Sequence, residues 1–302
     1  MFIELEEMRV YRPFVGGKLL DTFCGDTNPQ DNHYPERWIC STTEAGDHTG
    51  LSQTKDHVTL RSLIHGELDI LVKLLDSYTR LMIQVHPDKE RAMKYYHYPH
   101  GKTECWYVLD TRKINNVDPY VFVGFKEGVT KKMWRDVFER QDIPAMENCL
   151  HRIPVQKGDT FFIKAGVPHA MGSGVFFCEV QEPSDITLRC EWKSPDNIPM
   201  KEFDLNYGGS FDTMFNCFDY DGANLEETKK RYMVPHSNHM IVDEKEFALM
   251  DIPITESYTL KPQNYAIVIV LEGPDKAKEF YLDEEHTFYG PGRILVCLGP
   301  KR

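Results

Sequence analysis

Gln84 and His86 stand two residues apart in "IQVHPD", so on a strand both side chains leave the same face. Glu104 opens a later β-type run in "GKTECWYVL", and His169 lies in the Gly- and Pro-bounded segment "KGDTFFIKAGVPHAMGSG". Two imidazoles, a carboxylate and an amide oxygen make a mixed nitrogen and oxygen donor set, acceptable to Zn²⁺ with a position open for water or substrate. An open position suits catalysis better than structural closure. Spacing alone also admits a plainer reading, because the chain holds 12 histidines and a given histidine is more often a surface or core residue than a ligand. His97, His100, His236 and His239 are weaker candidates, since they fall in loop-like sequence and the last two have no obvious carboxylate partner.

The elements that must position these residues are short runs rich in β-branched and aromatic side chains: 80–86, 105–110, 120–125, 160–163, 175–181 and 186–192, separated by Gly, Pro or Asp. They predict antiparallel β-structure, a jelly-roll or a barrel. Cys105 should point away from Glu104 on an alternating strand, into a core. Helical patterning is expected over 89–96, over 131–141 with Thr130 as cap and Met133, Val137 and Phe138 on one face, and around 145–149. The stretch 58–65 reads as helix, whereas 70–75 fits a buried strand or a helix. Patterning weakens from about 196 to 239, which reads as a linker or surface excursion. Beyond it, 258–260, 265–271, 279–282 and 293–298 alternate again, with turns at Gly273-Pro274 and Gly290-Pro291-Gly292. The expected division is a metal-binding domain over 1–235 with helical segments and a smaller β domain over 236–302.

A formal charge of -12 argues against a broad nucleic-acid or anionic-membrane surface, and leaves a small anionic ligand open wherever a few cations are concentrated. The N-terminal residues lack a basic stretch leading into an apolar run, and no run of about 18 apolar residues occurs, so a soluble, cytoplasmic protein is expected. The eight cysteines include no C-x-x-C pair and read mostly as buried thiols.

Taken in order and spacing, "QVHPD", "GKTECWYVL", "GDTFFIKAGVPHAMGSG" and "EVQEPSDITLR" closely resemble the blocks of the short bacterial class I phosphomannose isomerases, metal-dependent cupins. "ERWICST" is similar to a further block of that family, and the tail looks like its degenerate second cupin. The resemblance implies a mainly β fold, a cupin jelly-roll with short helical insertions and a second, smaller cupin-like domain. It implies one Zn²⁺ per chain, or another divalent ion, on Gln84, His86, Glu104 and His169. It also offers Arg189 and Lys102 as active-site cations and Glu179 as a carboxylate; on residue type alone each is equally an ordinary surface charge.

The implied reaction interconverts mannose 6-phosphate and fructose 6-phosphate through an enediolate, which needs positive charge at the oxygens and a movable proton. The base is open between Glu179, a metal-activated hydroxide and a neutral Lys102. The chain departs from the family at the substrate end: Met82 stands where many relatives have Ser, Leu188 where an aromatic is common, Lys164 in place of Pro and Glu182 in place of Gln. Arg189, and Lys164 less so, would serve as donors to phosphate. The alternatives are isomerisation of a different or non-phosphorylated sugar, and a non-catalytic cupin that binds sugar and keeps the metal. An iron-dependent redox cupin fits less well, because Gln84 stands where such proteins usually have His.

Overall fold

Two sheets face each other around the residues singled out above, and a third sheet backs the first. The structure, a computed structural model, describes residues 1–45, 49–235 and 239–301. His236 and the expected boundary at 235/236 touch on positions outside the described residues. The first sheet is antiparallel, in the order Met8–Val10, Glu36–Ile39, Leu71–Asp76, Val175–Gln181, Glu104–Thr111 and Thr160–Ile163. The second runs Leu188–Arg189, Gln84–Val85, His169–Met171, Tyr120–Phe125 and Leu150–Pro154. Their facing sides share one apolar cluster, with Leu75, Trp106, Phe161 and Phe177 from the first and Val121, Val123, Ile153 and Met171 from the second.

The other face of the first sheet is also covered. Val72, Leu74, Cys105, Cys178 and Val180 pack on Leu249, Ile267, Ile269 and Leu295 of the third sheet. That sheet has the order Phe2–Leu5, Glu279–Leu282, Ala266–Glu272, Gly292–Leu298, Ala248–Ile254 and Met240–Asp243, and a hairpin of Ser257–Leu260 with His286–Tyr289 accompanies it. Burial on both faces explains why "ILVKLLD" is almost continuously apolar rather than alternating; Leu71–Asp76 is strand, which resolves the ambiguity over 70–75. The outer face of the second sheet is closed by helices through Ile83, Val85, Phe122, Trp134, Phe138 and Phe215.

Differences from expectation are local. The second sheet keeps only Gln84–Val85 and Leu188–Arg189 of the two longer predicted runs. Outside those pairs the backbone is spent on other partners: Leu81 N–H donates to the Met171 carbonyl and Ile83 N–H to Glu191 Oε1. The region 196–239 is not a plain excursion, for it holds the helices Glu202–Asn206, Phe211–Phe215 and Leu225–Tyr232, the first two anchored by buried Leu205, Met214 and Phe215. Helices of five residues show too little of the 3.6-residue period to be seen in sequence. Thr130 does cap Lys131–Glu139, but Trp134 and Phe138 form its buried stripe and Met133 is exposed. Among the described residues no helix is long and apolar enough to cross a membrane.

Candidate active site

Strand register brings the predicted residues together. His169 pairs with Gln84, and Gln84 with Arg189, across three adjacent strands, so their side chains leave one face of the second sheet. His86 follows Gln84 by two residues and joins that face. On the first sheet a lateral row runs Trp38, Lys73, Glu179, Trp106 and Phe161, one residue from each of five strands. Glu104, two residues before Trp106, points the same way, while Cys105 is buried in the opposite cluster. Lys102 lies just ahead of the strand, and its N–H donates to the Pro87 carbonyl. Gly101 permits that approach, because a Cβ there would come 2.7 Å from the Lys89 nitrogen.

The polar atoms converge in a buried centre. His86 Nε2 lies 3.4 Å from one Glu104 oxygen and His169 Nε2 3.2 Å from the other, with the Gln84 amide nitrogen 3.2 Å from His169 Nε2. A half-turn of the Gln84 carboxamide presents its oxygen there instead. Ligands about 2.1 Å from a tetrahedral zinc stand about 3.4 Å from one another, so these separations suit such an ion. Each imidazole gives its Nδ1 hydrogen to a backbone carbonyl, His86 to Ile186 at 2.8 Å and His169 to Val167 at 2.9 Å. Both Nε2 lone pairs are therefore aimed inward, as metal-ligating histidines require. Burial, then the Lys102 charge, pushes His86 well down, and burial pushes His169 down to about 4, so both rings stay neutral. Both Glu104 oxygens are buried and accept no well-aligned hydrogen bond, an arrangement a cation would satisfy. The geometry thus describes a possible metal site on His86, Glu104 and His169.

Charged groups flank this centre. Lys102 Nζ lies 3.2 Å from His86 Nε2, 3.3 Å from Glu104 and 3.9 Å from Glu179. Burial opposes its charge, but Glu104, Glu179 and Asp185 overcome that and raise it, so Lys102 stays an ammonium and the neutral-lysine base loses support. Glu179 is pushed up to about 7, first by burial and then by Glu104. A cavity beside the centre is lined by Lys102, Glu104, Glu179 and Arg189; Arg189 Nη1 donates to the Asp204 carbonyl at 2.9 Å, and among the described residues no carboxylate lies within ion-pair distance of it.

Of the four departures from the family pattern, only Met82 reaches the cavity. Leu188 is turned into the outer cluster, Lys164 is an exposed turn residue, and Glu182 accepts from the Thr103 N–H. Sequence reasoning missed Arg12, Glu36, Lys73 and Asp185, which also line the cavity. Lys73 had a signal: it is the one charge inside an apolar run buried on both faces. Arg12 had none.

Known proteins share both sequence and fold with this chain. It is 36% identical over 120 residues to mannose-6-phosphate isomerase ManA of Bacillus subtilis, covering 40% of this chain and 36% of the relative. It is 34% identical over 120 residues to the mannose-6-phosphate isomerase of Streptococcus mutans, covering 40% of this chain and 35% of the relative. The match therefore spans well under half the length of these curated relatives. The fold matches over nearly the whole chain: a mannose 6-phosphate isomerase structure from Bacillus subtilis superposes with a TM-score of 0.75 at 21% identity, covering 98% of this chain and 99% of the other. A mannose 6-phosphate isomerase bound with zinc and yttrium gives 0.69 at 16% identity, covering 99% and 100%. The mainly β, cupin-type fold expected from the motifs is the fold observed. No family-level profile matches the chain.

Proposed function

We propose that this chain is a zinc-dependent aldose–ketose isomerase that interconverts mannose 6-phosphate and fructose 6-phosphate. The observation that carries the reading is the buried His86, Glu104 and His169 group, with Lys102 and Glu179 lining the same cavity as its Glu104. The similarity to proteins named mannose-6-phosphate isomerase supports it. Zn²⁺ on Gln84, His86, Glu104 and His169 would supply a Lewis acid for the oxygens of the sugar's first two carbons. All these groups fall within 1–235, which we take as the catalytic unit, with 236–302 as the smaller cupin-like unit.

The chain's own groups account for the rest. Glu179, facing the cavity between Lys73 and Lys102, takes the proton from carbon 2 of the aldose and returns it to carbon 1, while the hydroxyl proton of oxygen 2 passes to oxygen 1. The Lys102 ammonium stabilises the negative charge that grows on the enediolate oxygens. Arg189 offers a half-buried guanidinium, with no ion-paired carboxylate among the described residues, to substrate oxygens. Trp106 and Phe177 line the cavity and lower its polarity, which strengthens these charge contacts.

The test is turnover of both sugar phosphates by zinc-loaded and metal-stripped protein, with solvent deuterium followed at carbon 2. Turnover and exchange in the loaded form alone are expected; no turnover above the stripped form would sink the reading. Met82 favours a second reading, a different or non-phosphorylated sugar, because an apolar side chain lines the cavity where many members of the resembled family carry a hydroxyl. Comparing kcat/KM for mannose and mannose 6-phosphate separates the two, and a strong phosphate preference eliminates the second.

A further inference from the structure

Beyond Lys102 and Glu179 the cavity holds a second charged group that the reaction above does not use. Arg12 Nη2 and Lys73 Nζ both reach the same oxygen of Asp185, each at 3.5 Å. Lys73 also lies 3.8 Å from Glu179, and Arg12 pairs with Glu36 at 2.9 Å. Trp38 braces both cations, with Arg12 5.3 Å and Lys73 5.0 Å from its ring centre, and its indole N–H donates to Glu36. Burial opposes ionisation of Asp185, but Arg12, Lys73, Lys102 and Arg189 overcome it and hold its carboxyl at about 2.

Asp185 is thus an anion in a ring of cations, held by its backbone while its side chain reaches the two cations only at 3.5 Å. It belongs to the irregular connection between Val175–Gln181 and Leu188–Arg189, and a quarter of its side chain is exposed to solvent. Arg12 and Lys73, in contrast, are fixed over Trp38. The cavity lining balances four cations, Arg12, Lys73, Lys102 and Arg189, against four carboxylates, Glu36, Glu104, Glu179 and Asp185. A divalent ion at the metal centre leaves a surplus of two positive charges, the charge of a phosphate monoester dianion reversed. A tetrahedral phosphate brings three acceptor oxygens where Asp185 offers one to both cations.

We propose that Arg12 and Lys73 form the seat for the substrate's anionic group, that Asp185 fills this seat in the free protein, and that a phosphate monoester displaces it. The proposal rests on the isomerase reading for the identity of the substrate, but not for the existence of the seat. Arg12 and Lys73 are then specificity-determining residues, and Asp185 is a built-in competitor.

The probe is inorganic phosphate, titrated into zinc-loaded protein at fixed ionic strength and read by calorimetry, with metal content and thermal melting recorded for each variant. Asp185→Asn is expected to bind phosphate at least tenfold more tightly, and Arg12→Met and Lys73→Met at least tenfold more weakly, with one zinc per chain retained in all three. Weaker phosphate binding by Asp185→Asn, or affinity unchanged across the three variants as direct capture by the zinc would give, overturns the proposal. The Asp185→Asn arm keeps the test decisive if a cation variant fails to fold. Tighter phosphate binding by Asp185→Asn in a protein without turnover would uphold the seat and sink the isomerase. Turnover with phosphate affinity indifferent to all three would do the reverse.

Discussion

At the scale of single residues, His86 and His169 illustrate how a candidate ligand is oriented by the hydrogen bond of its second ring nitrogen. Each has its Nδ1 hydrogen committed to a carbonyl and its Nε2 aimed at Glu104. His86→Ala and His169→Ala are expected to lose bound zinc and turnover together, measured by metal analysis of dialysed protein; full zinc content in both variants would remove the site. Lys102→Met should keep the zinc and lower kcat by about 10²–10³, the range for losing one electrostatic stabiliser. The pairs of residues that made this centre were legible in sequence through their i, i+2 spacing and motif blocks. Arg12 and Asp185 were not, because a single arginine or aspartate in a loop has no period.

Asp76 supplies a pH dependence remote from that centre. Its Oδ2 accepts from the Gly17 and Leu19 N–H groups while its Oδ1 is buried with no partner. Burial outweighs Arg112 and raises its carboxyl from 3.8 to about 6. The folded chain therefore holds this proton more tightly than the unfolded chain does. The associated stability is fully present below about pH 3.8 and is lost as pH rises through about 6, a change of about 3 kcal/mol. Urea unfolding at pH 4 and pH 7.5 should show the stability of the natural chain falling relative to Asp76→Asn by that amount. A pH-independent difference would contradict it.

Among the elements, legibility followed the number of covered faces and the length of the run. The long strands of the first and third sheets were visible because they are apolar throughout or alternate over four to eight residues. Gln84–Val85 and Leu188–Arg189 were overestimated because the flanking ladder is broken, with the Ile83 N–H given to the Glu191 side chain rather than to a strand neighbour. Lys131–Glu139 was found through its Thr130 cap, although the buried stripe is Trp134 and Phe138. Trp134 is fully buried against Phe125 and Phe218, at ring centroid distances of 5.1 and 5.7 Å. Trp134→Ala should cost about 3–5 kcal/mol in chemical denaturation, as large-to-small changes in cores do. Met133→Ala, on the exposed side of the same helix, should cost less than about 0.5 kcal/mol.

Across the whole molecule the architecture is layered, with helices, second sheet, cavity, first sheet, third sheet and hairpin in turn. The third sheet is joined to the first by more than apolar packing. Arg37 donates to Glu279 Oε2 through Nε at 3.0 Å and Nη2 at 2.8 Å, and the Cys40 N–H donates to the other oxygen. Composition could not announce this pair, since its members are 242 residues apart. Arg37→Met leaves a buried carboxylate uncompensated and is expected to destabilise the fold by about 3–5 kcal/mol, read from the urea midpoint.

The candidate ligands are divided between two layers: Gln84, His86 and His169 belong to the second sheet and Glu104 to the first. An ion held by all four is therefore a rivet through two plates. Its departure would free the plates to part along that seam, so ion exchange and breathing of the cavity become one event. Hydrogen exchange at the backbone of 84–86 and 104–106 should quicken on chelation, while 266–270 in the third sheet, which no rivet crosses, keeps its protection.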